Sequence, residues 1–509
     1  MSYGHNAEAD FAASELARMF AADPRICYAE ATCPSALSAN ASYEPSSSPW
    51  PKADALVSLL EAGTRRQRDI AVEYKRQQEG LHGLLTAIGQ AHSYLHKGYS
   101  GAAIVLPSSY SGYSNPGEYV RDVLDQVSGN KAIGVFRFET PDLSSPTPYA
   151  GRIHPVRLLE LVTTGAPVRA VSSRPRTQWV HMREGSTTRD AFFRFLQTAK
   201  RLSADSQMSA PTIALGLREA IARLEPGKDP AAYLANTADE KFLTRIWRAF
   251  WFEWVATPDV LTPWRLSGNR YFTPNAFTRI AKDDGSGSSQ IFEGREDGLK
   301  ENIVKELNAG RIDEGRAWEQ FACGIERPGK QKKQGVRDRA HSYREDLDSS
   351  LSQLQWIDND GRPTDYGYRY MTICERYGGA NSSAAIEYVG ASLLQTGRYG
   401  SFLHYVHRLS ERKFASNPLE FIRTNSAGDP VFNEESYGEY LAYLEECLAD
   451  ELKVLRKVSG RSRPRVRTPF QAELTLLRNY GYVSKTRYRL GVGIPIDWEH
   501  VVEALNIDL

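Results

Sequence analysis

The segment from residue 50 to residue 94 constrains the fold of this chain more than any other. Two short apolar and partly alternating runs flank the polar segment 61–68, and this arrangement predicts a β-hairpin. Asp54 starts the first run, and Glu73 and Lys75 lie two residues apart in the second. Because side chains two apart on a strand point to the same face, a hairpin in register brings two carboxylates and one ammonium group together.

These three side chains have the chemistry that phosphodiester hydrolysis needs. Two carboxylates can hold Mg²⁺ while leaving sites for water and a phosphate oxygen. The lysine can orient or help to deprotonate the attacking water, or neutralise charge on the phosphate. Asp69 competes with Asp54 for the metal role. We prefer Asp54, because Asp69 stands four residues before Glu73 and therefore far along the same strand.

The predicted elements around the hairpin follow the order α-β-β-β-α-β. They comprise a helix over 6–22, strands over 25–32, 53–60 and 69–76, a helix over 83–97 and a buried strand over 101–106. Together with Asp54 and the later Glu-Tyr-Lys, this order resembles the PD-(D/E)xK nuclease superfamily of restriction endonucleases, Holliday-junction resolvases and RecB-type nucleases. The resemblance covers roughly the first quarter of the chain. It departs from the family pattern in that Pro51 and Asp54 are separated.

The resemblance implies further site residues. Members of the family carry an acidic residue in the first helix, and the surroundings of Glu8 look more like their Ala-Glu-x-x-Leu pattern than those of Glu15 do. Gln90 and Tyr94 match the Gln-x-x-x-Tyr motif of RecB-like nucleases and share a helix face. The implied catalytic set is Glu8, Asp54, Glu73, Lys75, Gln90 and Tyr94. Glu8, Asp54 and Glu73 would hold Mg²⁺, for which Mn²⁺ can substitute.

Each motif also has an ordinary structural explanation. A Glu-x-Lys on a strand is usually a solvated charge pair, and Gln and Tyr four residues apart usually lie on a helix surface. The order of the motifs on suitable elements favours the nuclease interpretation. His92 and His96 have a spacing that can bind zinc, but no Glu follows the first histidine and no third ligand is near. We therefore interpret them as surface or phosphate-facing histidines.

The length of 509 residues is too great for one core, so several domains are expected. The turn-rich segment 139–149 predicts a domain boundary, and helical patterns dominate after residue 187. We predict an α/β restriction-endonuclease-like core followed by a mostly α C-terminal half with winged-helix-like modules. The predicted divisions are a nuclease-like domain (1–140), a mainly helical region (150–340), a winged-helix-like module (341–420) and a helical or winged-helix-like module (430–509).

Charge and composition limit the setting in which the protein works. The net charge is +1, so DNA binding would rely on local basic runs, which occur at 64–68, 329–344 and 453–467. We find no apolar run long enough to span a membrane and no signal-peptide pattern. The five cysteines are scattered without a Cys-x-x-Cys spacing, which predicts a reducing cytoplasm.

The best interpretation is a Mg²⁺-dependent DNA endonuclease, similar to restriction enzymes or to nucleases of prokaryotic phage defence. The N-terminal domain would cut double-stranded DNA, and the C-terminal half would recognise DNA or a partner subunit. No Gly-x-x-x-x-Gly-Lys-Ser/Thr loop occurs, so a translocating system would need a separate motor protein. A homodimer is compatible with this interpretation. The alternatives are a non-catalytic DNA-binding or assembly subunit of a defence complex, and a repair or recombination nuclease.

Overall fold

The computed structural model describes most of the chain in two compact units. The first unit comprises Met1–Val180 and Ala391–Asp508, and the second comprises His181–Gly390 with Leu509. The described residues are 4–44, 51–62, 67–110, 112–161, 179–180, 182, 189–204, 215–225, 227–234, 241–255, 264–273, 279–281, 288–290, 297–326, 328–329, 333–416, 423–428, 430–431, 434–455, 470–486, 488–489 and 492–509.

The N-terminal part of the first unit is a six-stranded mixed sheet in which the strands lie in chain order. The strands are β1 (Leu37–Ser42), β2 (Ala55–Glu61), β3 (Gln67–Tyr74), β4 (Gly101–Pro107), β5 (Ile133–Phe138) and β6 (Ile153–Arg157). Strands β1 to β3 are antiparallel, β3 to β5 are parallel, and β6 returns antiparallel to β5. Helix α1 (His5–Ala22) precedes the sheet, α2 (Gly80–His96) joins β3 to β4, and α3 (Pro116–Val123) lies between β4 and β5.

Hydrophobic packing fixes the centre of this sheet. All seven residues of β4 are buried, as expected for a parallel strand that is covered on both faces. Leu84, Ala87 and Ala91 of α2 belong to one core cluster with Ala102 and Ile104 of β4. The C-terminal end of β3 therefore lies in the protein interior, between β2 and β4.

The first predicted strand is wrong. Residues 25–32 form two short 3₁₀ turns, Pro24–Ile26 and Glu30–Thr32, instead of a strand. Pro24 fixes its own φ and has no N–H for a strand ladder, and the Asp23 carboxylate accepts a hydrogen bond from the Arg25 N–H at 3.2 Å. Strand β1 begins later, at Leu37, where buried and more exposed residues alternate.

The remainder of the chain is mostly helical. Its helices are α4 (Arg189–Ala204), α5 (Leu215–Leu224), α6 (Pro230–Leu234), α7 (Phe242–Phe250), α8 (Asp297–Asn308), α9 (Glu314–Cys323), α10 (Val336–Gln353), α11 (Asp365–Tyr377), α12 (Ser383–Leu394), α13 (Tyr399–Ser416), α14 (Glu434–Glu446), α15 (Gln471–Asn479) and α16 (Trp498–Leu505). Short strand pairs are Arg265–Ser267 with Arg270–Phe272, Arg279–Ala281 with Ser288–Gln290, and Arg423–Thr424 with Pro430–Val431. The prediction of an α/β N-terminal part followed by a mostly helical C-terminal half is confirmed.

The two segments predicted as winged-helix-like each contain a small paired turn between helices. Between α10 and α11, Ile357 pairs with Pro363, and the Thr364 hydroxyl accepts a bond from the Gly367 N–H at 3.5 Å. Between α15 and α16, Val483 pairs with Ile496. The assignment of these segments as winged helices stays a prediction.

Several sequence features fall outside the described residues. These include Arg65 and Arg66 of the first basic run and the arginines at 461, 463, 465 and 467. Within the described part of the chain, none of the helices combines the length and the apolar composition that a membrane span needs. The five cysteines are all free thiols.

Candidate active site

The β2–β3 hairpin brings Asp54 to the end of β3 where Glu73 lies. Ala55 pairs with Val72, so the preceding residue, Asp54, lies beside the end of the neighbouring strand. The Asp54 carboxylate accepts a hydrogen bond from the Tyr74 N–H at 2.8 Å. This contact fixes the carboxylate next to the segment between Glu73 and Lys75.

Lys75 is held by two acidic side chains. Its ammonium nitrogen lies 2.8 Å from Glu73 Oε1 and 3.2 Å from Glu79 Oε2. Gly83 lets α2 pass close to this pair, since a Cβ there would lie 3.0 Å from Glu79 Cβ and 3.5 Å from Lys75 Cδ. Glu73 is 1% exposed and Lys75 is 6% exposed, so the pair is shielded from water.

Burial and neighbouring charge determine which of these groups carries a proton. Burial, together with the negative charge of Asp54, raises the pKa of Glu73 to about 8. Burial by itself lowers the pKa of Lys75, but the charges of Glu73, Glu79 and Asp54 outweigh it and the pKa is raised. Lys75 is therefore an ammonium group near neutral pH. In this state it can neutralise negative charge on a phosphate but cannot accept a proton.

Tyr94 connects α2 to the same carboxylate. Its hydroxyl forms a hydrogen bond with Glu73 Oε2 and another, at 3.0 Å, with the Lys52 carbonyl. A phenol has one hydrogen, which Tyr94 can donate to the Lys52 carbonyl. The contact with Glu73 is then a hydrogen bond only when Glu73 carries a proton and donates it to the Tyr94 oxygen. Gln90 lies one turn earlier on α2, and its buried Oε1 atom has no hydrogen-bond partner among the described residues. Of the two predicted residues, the structure joins Tyr94 to the carboxylate.

The structure distinguishes the two glutamates of α1 by their contacts. The Glu8 carboxylate lies near the end of β3, where it accepts a bond from Arg76 Nε at 3.0 Å and lies 3.4 Å from the Tyr74 hydroxyl. Glu15 instead pairs with Arg18 and accepts a bond from the Gly151 N–H at 2.9 Å. Glu8 is thus the helix carboxylate beside the Glu73–Lys75 segment, but its charge is already compensated by Arg76.

Asp69 lies at the other end of β3. Its Oδ1 atom accepts hydrogen bonds from the Ser58 hydroxyl at 2.7 Å and from Gln67 Nε2 at 3.0 Å. Its backbone carbonyl accepts a bond from the Ser100 N–H at 3.0 Å. These contacts connect Asp69 to the start of β3 and to the entry of β4, and the carboxylate at the Glu73 end is that of Asp54.

Two residues that the sequence reasoning missed complete the site: His5 lies beside Asp54, and Glu79 lies beside Lys75. The His5 ring lies with Nδ1 3.8 Å from Asp54 Oδ1, and with Nε2 3.0 Å from the Tyr74 carbonyl oxygen. Nε2 also lies 3.6 Å from Glu79 Oε1. The available signals were local: His5 stands three residues before Glu8 on one helix face, and Glu79 stands four residues after Lys75.

The donor chemistry at this end of β3 fits a hard divalent cation. Asp54 and Glu73 supply carboxylates, and the buried Glu73 Oε1 atom makes an ion pair with Lys75 at 2.8 Å. His5 and the Tyr74 carbonyl add nitrogen and oxygen donors near Asp54. In the described ranges, however, no three His, Cys, Asp or Glu side chains are gathered as a metal-binding group. To bind a metal ion, the Glu8 carboxylate would have to give up its ion pair with Arg76.

Replacing Glu73 with glutamine is expected to stabilise the protein at alkaline pH. A folded-state pKa of about 8 against an ordinary value of 4.5 means that the wild type loses stability as the pH rises between these values. The glutamine variant lacks this loss, so its advantage should reach on the order of 2–4 kcal/mol at about pH 9 and vanish near about pH 4.5. Thermal unfolding of both proteins with a chelator present measures the difference.

The control for this experiment is Glu160→Gln. Glu160 is an exposed carboxylate paired with Lys131 at 3.2 Å, and its removal should change stability little and without a trend in pH. Equal melting temperatures of the wild type and Glu73→Gln at alkaline pH would contradict the raised pKa of Glu73.

No protein-family model and no curated protein matches this chain. The candidate site is therefore characterised by its own geometry. Its central feature is a buried Glu73–Lys75 pair with the Asp54 carboxylate beside it, at the end of an interior strand.

Proposed function

We propose that the N-terminal α/β part of the chain is a metal-dependent DNA endonuclease of the PD-(D/E)xK type. The observation that carries the proposal is the burial of Glu73 and Lys75 beside Asp54. A Glu-x-Lys pair with a purely structural role is ordinarily solvated, whereas these two residues are 1% and 6% exposed. Buried ionisable groups with strongly shifted pKa values cluster at functional sites, and burial raises the pKa of Glu73 to about 8.

The residues of the site have separate roles in the proposed reaction. Asp54 and Glu73 would hold Mg²⁺ or Mn²⁺, and His5 and the Tyr74 carbonyl lie close enough to Asp54 to assist. The bound cation would supply an activated water and polarise the phosphate. Lys75, held as an ammonium group by Glu73 and Glu79, would neutralise charge that develops on the phosphate. Tyr94 would keep the Glu73 carboxylate in one orientation.

The topology supports a restriction-endonuclease-like core. A helix, an antiparallel β1–β2–β3 meander, a second helix and the parallel strand β4 follow one another in the proposed order. We propose that the helical C-terminal half, with its winged-helix-like segments, contacts double-stranded DNA or a partner such as a motor or defence subunit. A homodimer is compatible with this arrangement. Acting on invading DNA in a restriction or phage-defence system, the protein would work in the cytoplasm.

One observation favours the non-catalytic alternative. The Glu8 carboxylate is paired with Arg76, and the described residues include no gathered group of three potential metal ligands. A subunit that has kept the nuclease fold only as a scaffold for DNA binding or assembly would have these properties. The two functions predict opposite results in a cleavage assay.

Cleavage of plasmid or phage DNA by the purified protein tests the proposal. We expect cleavage with Mg²⁺ or Mn²⁺, and DNA binding without cleavage with Ca²⁺, because Ca²⁺ accepts looser ligand geometry than Mg²⁺ does. Gel electrophoresis of the DNA and filter binding measure the two properties. Cleavage that persists in excess chelator would refute a metal mechanism. Binding without cleavage under every metal would support the scaffold alternative.

A further inference from the structure

Arg398 reaches the candidate active site from a part of the chain more than three hundred residues away in sequence. It lies between α12 and α13, in the same compact unit as the sheet, and is 5% exposed. Its guanidinium group donates one hydrogen bond to the Asp10 carboxylate and another to the backbone carbonyl of Asp54. The group also lies 5.3 Å from the centre of the Tyr43 ring.

The Asp10 carboxylate anchors Arg398 in the interior. Asp10 is 0% exposed and lies on α1, where its second oxygen accepts a bond from the Ser401 hydroxyl at 2.9 Å. Both carboxylate oxygens are therefore occupied, one by Arg398 and one by Ser401. This leaves the other arm of the guanidinium fixed in the direction of Asp54.

The backbone of Arg398 adopts an unfavourable conformation to reach this position. Its φ is 63°, a left-handed conformation that arginine rarely adopts. Such conformations persist where surrounding contacts impose them, and they occur preferentially at functional sites. The Arg398 N–H also donates to the Gln395 carbonyl at 3.2 Å, so this conformation belongs to the turn between α12 and α13.

The segment that leads into Asp54 is held at several further points. The Glu44 carboxylate accepts a bond from the Ala53 N–H, and Lys97 donates to the Pro51 carbonyl at 2.6 Å. The Asp54 carboxylate itself accepts the Tyr74 N–H. Among these contacts, the one with Arg398 is made to the peptide group of Asp54 itself, next to the carboxylate on the same residue.

We propose that Arg398 is a positioning residue for Asp54, through which the C-terminal segment 391–508 completes the metal-binding end of β3. The proposal rests on the proposed function in that Asp54 is taken to hold the metal. It goes beyond the proposed function, because a complete active site would then need Arg398 in addition to residues 1–180. A planar guanidinium with two donating arms is required, since it must contact a carboxylate and a carbonyl at the same time.

Arg398→Lys tests this role without removing the positive charge beside Asp10. Lysine can pair with Asp10 but has no fork that also reaches the Asp54 carbonyl. We expect a folded protein in which Mn²⁺ binds about 10- to 100-fold more weakly and more metal is needed for half-maximal cleavage. We also expect faster amide hydrogen exchange in the peptide that spans residues 51–59, measured by mass spectrometry without metal. Calorimetric titration of the full-length protein with Mn²⁺ gives the affinity.

Arg412→Met is the matched control. Arg412 also lies on the C-terminal segment, but it pairs with the exposed Glu451, and its loss should alter neither Mn²⁺ affinity nor exchange at 51–59. If Arg398→Lys binds Mn²⁺ as the wild type does and residues 51–59 exchange unchanged, Arg398 has a purely structural role and the proposal is overturned. A wild type that binds Mn²⁺ without cleaving DNA overturns the nuclease function alone. A wild type that binds no Mn²⁺ overturns both.

Discussion

Replacing Lys75 with methionine is expected to lower the rate of DNA cleavage by at least about a hundredfold, the effect usual for loss of one group that stabilises charge in the transition state. The variant should fold, because methionine keeps the apolar part of the side chain and Glu73 can become neutral, with its pKa already raised to about 8. DNA binding in Ca²⁺ should persist. Initial cleavage rates in Mg²⁺, together with filter binding, separate the two properties.

Asp54→Asn and Asp69→Asn form a matched pair for the same assay. Both substitutions replace a carboxylate on the β2–β3 hairpin by an amide of equal size. Asp54 lies beside the Glu73–Lys75 pair, whereas Asp69 bonds to Ser58 and Gln67 at the opposite end of β3. We expect cleavage to be lost in the first variant and kept in the second. The reverse result would move the active site to the other end of the hairpin.

Removing Arg398 is expected to have the largest effect on stability. Arg398→Met leaves the Asp10 carboxylate, which is 0% exposed, without its cation, and breaking a buried ion pair in this way costs about 3–5 kcal/mol. Arg412→Met should cost no more than about 1 kcal/mol, because its pair with Glu451 is exposed to solvent. Urea unfolding of the three proteins at about pH 8 measures the difference.

The cost of Arg398→Met should also depend on pH. Burial raises the pKa of Asp10 to about 6 in the wild type, and the charge of Arg398 partly offsets this effect. Loss of Arg398 raises that pKa further, so the variant loses additional stability as the pH rises above about 6. A cost that is smaller at about pH 8 than at about pH 5 would contradict this coupling. The double variant Asp10→Asn/Arg398→Met should recover much of the loss, since it leaves no buried charge at either position.

Local sequence pattern predicted the elements of the sheet region well where hydrophobic burial determines them. The helix predicted over 6–22 is α1, His5–Ala22, and the buried run predicted over 101–106 is β4, Gly101–Pro107. The prediction fails at 25–32, where a short apolar pattern indicates a strand although Pro24 and the Asp23 side chain favour a turn. A run of that length does not by itself distinguish a strand from a turn.

The candidate site was only partly accessible from the sequence. Alternation along a strand was enough to predict that Glu73 and Lys75 share a face and that Asp54 is their partner across the hairpin. Glu8 was expected at the metal only because the resemblance to the nuclease superfamily implies an acidic residue in the first helix, and no sequence pattern indicates that Arg76 pairs with this carboxylate at 3.0 Å. Short-range spacing could have suggested His5 and Glu79, but not their contacts with Asp54 and Lys75.

Apart from β1, the sequence by itself determined the elements of the N-terminal sheet region and the residue types at the end of β3, because both follow from periodicities of two and 3.6 residues within one segment. Only the tertiary structure decided whether Glu73 and Lys75 are solvated or buried, because burial depends on α2 and β4 packing over them. Tertiary structure also brought Arg398 to Asp10 and Asp54 across more than three hundred residues. A contact between residues so far apart in the chain produces no local pattern in the sequence, since it arises from chain folding and from the need to pair a buried charge.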